Sequence, residues 1–85
     1  KQIAYQQDSG ECDFVIIEKD TATQALQVTY DLSDEQTRKR EIKGLVLCCK
    51  ALGLKKGTIL TFDQEEQFES DWIQVTVMPT WRYFL

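Results

Sequence analysis

The chain has 85 residues, which sets one domain as its upper limit and leaves room for one modest core. It is 42% hydrophobic and 28% charged, a balance that excludes a disordered segment, and no apolar run approaches the length of a membrane span. The formal charge of −4 opposes a domain that binds nucleic acid by itself, because phosphate contacts dominate such affinity.

Ile3 to Gln6 reads as a short strand, broken by Asp8-Ser9-Gly10. Cys12 to Glu18 is strongly β-prone, and the consecutive Phe14, Val15, Ile16 and Ile17 predict a strand covered on both faces. Asp20 to Thr23 supplies a turn, and Gln24 to Tyr30 returns as an antiparallel partner, since so short a loop forbids a parallel crossover.

Ser33 is expected to cap a helix from about Asp34 to Leu52, with Gln36 reaching back to complete a capping box. Ile42, Leu45, Val46, Cys49 and Leu52 recur at helical spacing and form its buried stripe. Gly44 inside the helix suggests a close approach to the sheet, and Gly53 ends the helix as a left-handed cap with Leu54 folding back. Lys55-Lys56-Gly57 reads as a turn into a strand from Thr58 to Phe62. Gln67 to Val77 reads as a hairpin turning at Ser70-Asp71, Pro79 stops its second strand, and Thr80 to Leu85 is a short aromatic tail with one helical turn. The fold class is therefore α/β, with a sheet of five or six strands and one long helix.

Cys12, Cys48 and Cys49 do not make a disulfide framework, and without histidine no zinc set can be completed. They read as core residues of a protein in a reducing, cytoplasmic compartment. The candidate site lies on the first hairpin. Residues of alternate position share a strand face, so Glu11 and Asp13 would meet Gln27 and Thr29 across the pair. Many metal-dependent nucleases use such a frame: carboxylates hold Mg²⁺, and a lysine steadies developing charge. Here an amide stands at 27 and a hydroxyl at 29.

Glu-x-Asp-Phe-Val at 11–15, Leu-Gln-Val-Thr-Tyr at 26–30 and Lys-Arg-Glu-Ile-Lys-Gly-Leu at 39–45 carry a family resemblance, together with Thr-Ile-Leu-Thr at 58–61 and Met-Pro-Thr-Trp-Arg-Tyr-Phe-Leu at 78–85. The chain resembles the domain of unknown function at the C-terminus of certain bacterial and archaeal AAA-type ATPases, whose fold is similar to restriction endonucleases. The resemblance implies that residues 1–85 are the C-terminal fragment of a longer chain, as the start at Lys1 also suggests, with an upstream domain that binds ATP. Active relatives have an acid followed by Glu-x-Lys. Asp13 matches the acid, while Gln27 and Thr29 replace the glutamate and lysine.

The favoured expectation is a non-catalytic accessory domain whose partners are the upstream ATPase domain and another protein. A Mg²⁺-dependent nuclease with a variant site of Glu11, Asp13 and Gln27 is the first alternative. A nucleic-acid-binding module using Arg38, Lys39, Arg40 and Lys43 is the second, against the plainer reading of a solvated helix face. Tyr30, Trp72, Trp81, Tyr83 and Phe84 offer rings on which bases stack, although packing is the commoner role for aromatics.

Overall fold

The computed structural model describes residues 2–5 and 13–83. Strands β1 (Gln2–Tyr5), β2 (Phe14–Glu18) and β3 (Thr21–Val28) precede helix α1 (Glu35–Leu52). Strands β4 (Lys56–Thr61), β5 (Glu66–Ser70) and β6 (Ile73–Pro79) follow, and α2 (Thr80–Tyr83) is a single turn. The six strands form one mixed sheet in the order β1-β2-β3-β4-β6-β5. β1, β2 and β3 form an antiparallel meander, β5 pairs antiparallel with β6, and β3, β4 and β6 run parallel at the centre. The expected α/β class with one long helix is what the chain adopts.

Two turns are tighter than the composition suggests. Lys19 and Asp20 both have positive φ, as do Asp71 and Trp72, so each hairpin closes on a two-residue left-handed turn. That geometry matches the right-handed twist of paired strands. Consequently β3 begins at Thr21, inside the segment expected to be turn. The second hairpin likewise turns at Asp71-Trp72 rather than Ser70-Asp71, which removes Trp72 from the strand.

Helix α1 is capped by Asp34, not by Ser33. The Asp34 carboxylate accepts the Thr37 N–H at 2.9 Å. Ser33 is instead tied by its own N–H to Asp31 Oδ1 at 2.8 Å. A carboxylate is the stronger acceptor for amides at a positive helix end, so the charged residue takes the cap. At the other end Gly53 adopts φ 72°, and Leu54 N–H reaches back to the Cys49 carbonyl at 2.8 Å, as expected from the sequence.

One face of the sheet packs on α1 through Val15, Ala25, Ile59, Val75 and Val77, which meet Leu45, Val46, Cys48 and Cys49. Gly57 belongs to β4, not to a turn, and it is where helix and sheet come close. A Cβ placed there would lie 2.7 Å from Leu45 Cδ1 and 2.8 Å from Cys49 Sγ. Ile16, Leu26 and Leu60 are buried on the opposite face. On that side α2 packs against β4 and β6, and Tyr83 donates its hydroxyl to Gln24 Oε1. The run from Phe14 to Ile17 is thus covered from both sides, as its composition predicts.

Candidate functional site

Position 13 precedes β2 by one residue, and position 27 is the penultimate residue of β3. Phe14 pairs with Leu26, so Asp13 lies opposite Gln27 as expected, although by another route. The two-residue turn alone would set Asp13 against Leu26. A register shift between Ile16 and Ile17, which leaves Thr23 out of the pairing, moves it to Gln27. The two residues form a closed exchange. Gln27 Oε1 accepts the Asp13 N–H at 2.9 Å, while Asp13 Oδ2 accepts the Val28 N–H at 2.8 Å. The Asp13 N–H is shared with the Leu26 carbonyl at 3.1 Å. Gln27 is only 6% exposed, so its amide oxygen is committed to a backbone donor inside the protein. The carboxylate and the amide therefore act as staples between two strand ends.

A third acid enters this cluster from α1. Glu41 is held above the ordinary carboxylate range, first by burial and then by the negative charge of Asp13 nearby. Arg40 Nε, 3.6 Å away, opposes the rise only in part because its side chain is largely in water. The helical repeat gave no reason to single Glu41 out, since it reads as a charged residue among charged neighbours. Its proximity to Asp13 depends on how α1 docks across the sheet.

Among the described residues no group of three histidine, cysteine or acidic side chains is arranged to hold a metal ion. Asp13, Glu41 and Gln27 offer oxygen donors of the kind Mg²⁺ prefers. However, Asp13 Oδ2 and Gln27 Oε1 already accept backbone N–H groups, so the set fits a metal poorly. Glu11 lies outside the described residues. Thr29 is placed past the end of β3, its N–H donating to the Leu60 carbonyl at 2.9 Å, and it carries no cation.

The four basic helix residues do not share one surface. Arg38 is drawn toward the far edge of the sheet, where Nη1 and Nη2 meet both oxygens of Glu66 at 2.9 and 2.6 Å. Its guanidinium also sits 5.3 Å from the centre of the Phe68 ring. Lys39 and Lys43 border an apolar groove floored by Ile42 and Val46, facing Ser70 and Asp71. Arg40 alone neighbours the acidic cluster, through Glu41.

The aromatics divide too. Tyr30 and Trp81 come together with Phe62, whose place in a strand-like run of the sequence gives it no sign of this role. Trp72 sits in the Asp71-Trp72 turn and is 82% exposed, and Phe84 lies outside the described residues. No helix among the described residues is long and apolar enough to cross a membrane. No known protein family, characterised protein or solved structure matches the chain.

Proposed function

We propose that the chain is a non-catalytic interaction module with a restriction-endonuclease-like fold, serving as the accessory domain of an AAA-type ATPase. The observation that supports this most is the exchange between Asp13 and Gln27. These two residues oppose one another as a two-strand nuclease site requires, yet both side chains satisfy backbone donors. A nuclease needs free oxygens for its cation and a positive group for the developing charge. Loss of one such group costs a factor of about 10² to 10⁴ in rate.

The topology and the sequence segments at 11–15, 26–30 and 78–85 support the family part of the reading. ATP binding belongs to the upstream domain that this reading supposes. The test is incubation with Mg²⁺ or Mn²⁺ and supercoiled plasmid, single-stranded DNA or RNA. The expected result is no cutting beyond that of Asp13→Ala. Cleavage by the natural chain that Asp13→Ala abolishes would overturn the proposal.

A further inference from the structure

Because β3, β4 and β6 are parallel, they end at the same edge of the sheet. Ligands of open α/β sheets characteristically sit beyond such carboxyl ends. There the chain forms a groove of about 570 Å³ lined by Val28, Thr29, Tyr30, Thr61, Phe62, Thr80 and Trp81. Val28 leaves β3 on the opposite side from Gln27, so the groove and the acidic cluster occupy the two faces of one strand end.

The groove exposes an unusual amount of aromatic surface. Tyr30 is 73% exposed, Phe62 59% and Trp81 62%. The rings of Tyr30 and Phe62 stack with centroids 5.1 Å apart, both largely in water. Hydrogen bonds of the backbone tie together the loops that carry these rings. Phe62 N–H donates to the Tyr30 carbonyl at 3.1 Å, and Leu32 N–H donates to Gln64 Oε1 at 2.7 Å, locking the two loops together. Thr80 Oγ1 donates to the Thr61 carbonyl at 3.1 Å and fixes the turn that carries Trp81. A contiguous apolar patch carried on tied loops and left in water marks a docking surface, and tyrosine and tryptophan dominate the energetics of such surfaces.

Charge selects the occupant. Among the described residues no charged side chain lines the groove itself, but each loop places an exposed acid directly after its aromatic residue, Asp31 after Tyr30 and Asp63 after Phe62. Hydrogen bonds from Ser33 keep Asp31 below the ordinary carboxylate range, so it is ionised at neutral pH. Arg82, next to Trp81, is paired with Glu65. A nucleic-acid strand could stack on the rings, but its phosphates would meet these acids. Proline rings pack on flat aromatic faces, a polyproline helix is already extended, and arginine adds both charge and cation–π attraction.

We infer that this groove docks an extended, proline-rich and basic segment of a partner protein. Its prolines lie on Tyr30, Phe62 and Trp81, and its basic side chains meet Asp31 and Asp63. This inference rests on the reading of the chain as an interaction module, and it names that module's surface and partner chemistry.

The experiment uses the chain carrying Trp72→Phe, which leaves Trp81 as the one tryptophan. A synthetic peptide of Pro-Pro-Arg repeats is titrated while Trp81 emission is followed, with Pro-Pro-Glu repeats and oligothymidylate as comparators. Saturable binding of the Pro-Pro-Arg peptide alone is expected, weakened about tenfold or more by Phe62→Ala. Tyr30→Ala serves in its place if circular dichroism shows Phe62→Ala to be unfolded. Asp31→Asn with Asp63→Asn should weaken binding and flatten its salt dependence. Absence of saturation at millimolar peptide, an equal response to Pro-Pro-Glu, or tighter binding of oligothymidylate overturns the inference. Either of the first two outcomes, in a chain that does not cut nucleic acid with Mg²⁺ or Mn²⁺, leaves the interaction reading standing. Cutting that Asp13→Ala abolishes sinks that reading itself, whatever the peptide does.

Discussion

Asp13 and Gln27 each accept a hydrogen bond from the backbone of the opposite strand end, at 2.8 and 2.9 Å. Two residues in the positions of metal ligands thus work as cross-strand ties. Glu41 approaches them from the helix, and its carboxyl is raised by burial and by Asp13. The folded state therefore holds the Glu41 proton more tightly than the unfolded chain does. Stability falls as pH rises from the ordinary value of 4.5 through the raised one, and the full cost remains at neutral pH. Glu41→Gln should raise Tm at pH 7 and change little at pH 4. Gln27→Glu keeps the acceptor but adds a third carboxylate, and should lower Tm at pH 7. Calorimetric scans at the two pH values check both.

Arg38 and Glu66 form a two-pronged pair at the other side of the helix. Arg38 holds Glu66 below its ordinary 4.5, a depressed acid in the folded state. Its contribution is present above pH 4.5 and is lost as pH falls through the lowered folded value. Both side chains are about a third exposed, so solvent screening limits the pair to about 0.5–1 kcal/mol. Arg38→Ala should cost somewhat more, because the cation over Phe68 goes as well. Urea unfolding at pH 7 and pH 3 should show a loss at pH 7 that shrinks in acid.

Gly57 is required by contact with the helix. A methyl group there meets both Cγ and Cδ1 of Leu45 and the sulfur of Cys49, all within 2.9 Å. Overpacking of this kind costs about 1–3 kcal/mol, more than alanine regains in strand propensity. Gly57→Ala should lower Tm by roughly 4–8 °C per kcal/mol lost. Combined with Leu45→Ala it should cost less than the sum of the single changes, because the cavity left by Leu45 accepts the new methyl.

Cys49 is fully buried, and burial pushes its thiol up to about 11. Its sulfur rests 3.5 Å from the Lys56 carbonyl oxygen. Since the thiolate is the reactive form, iodoacetamide at pH 8 should modify Cys49 only at the rate of unfolding. Peptide mapping after native and denatured labelling distinguishes this from direct attack.

Trp72 holds φ 72° in a two-residue turn with its ring in water. Glycine after aspartate is the preferred pair for that turn. Trp72→Gly should therefore stabilise the chain by about 1 kcal/mol, raising Tm by about 4–8 °C. A fall in Tm would show that the indole has packing the geometry does not reveal.

Local patterns made much of the fold legible. The spacing from Ile42 to Leu52, with Gly53 after it, marks the helix and its end. The acid at 13 and the amide at 27 oppose because a bulge at Thr23 offsets by one residue the register that the Lys19-Asp20 turn sets. What escaped the sequence depends on distant contacts. Gly57 looks like a turn residue until α1 lies across it, and Glu41 looks like surface until Asp13 is beneath it. Ser33 and Asp34 are both good caps, and contacts outside the helix pattern, with Asp31 and Gln64, engage the Ser33 hydroxyl. Phe62 joins Tyr30 and Trp81 only because three parallel strands stop at one edge.

That parallel centre also bears on how the chain reaches its fold. The two hairpins close over two residues each and are local, so they form on the microsecond scale. β4 must find β3 across the whole of α1 and find β6 across β5, paying loop-closure entropy before any ladder bond rewards it. The folding rate is then set by insertion of β4 between two preformed hairpins. Substitutions on β4 that preserve packing, such as Ile59→Val, should slow refolding, whereas Trp72→Gly should act on unfolding.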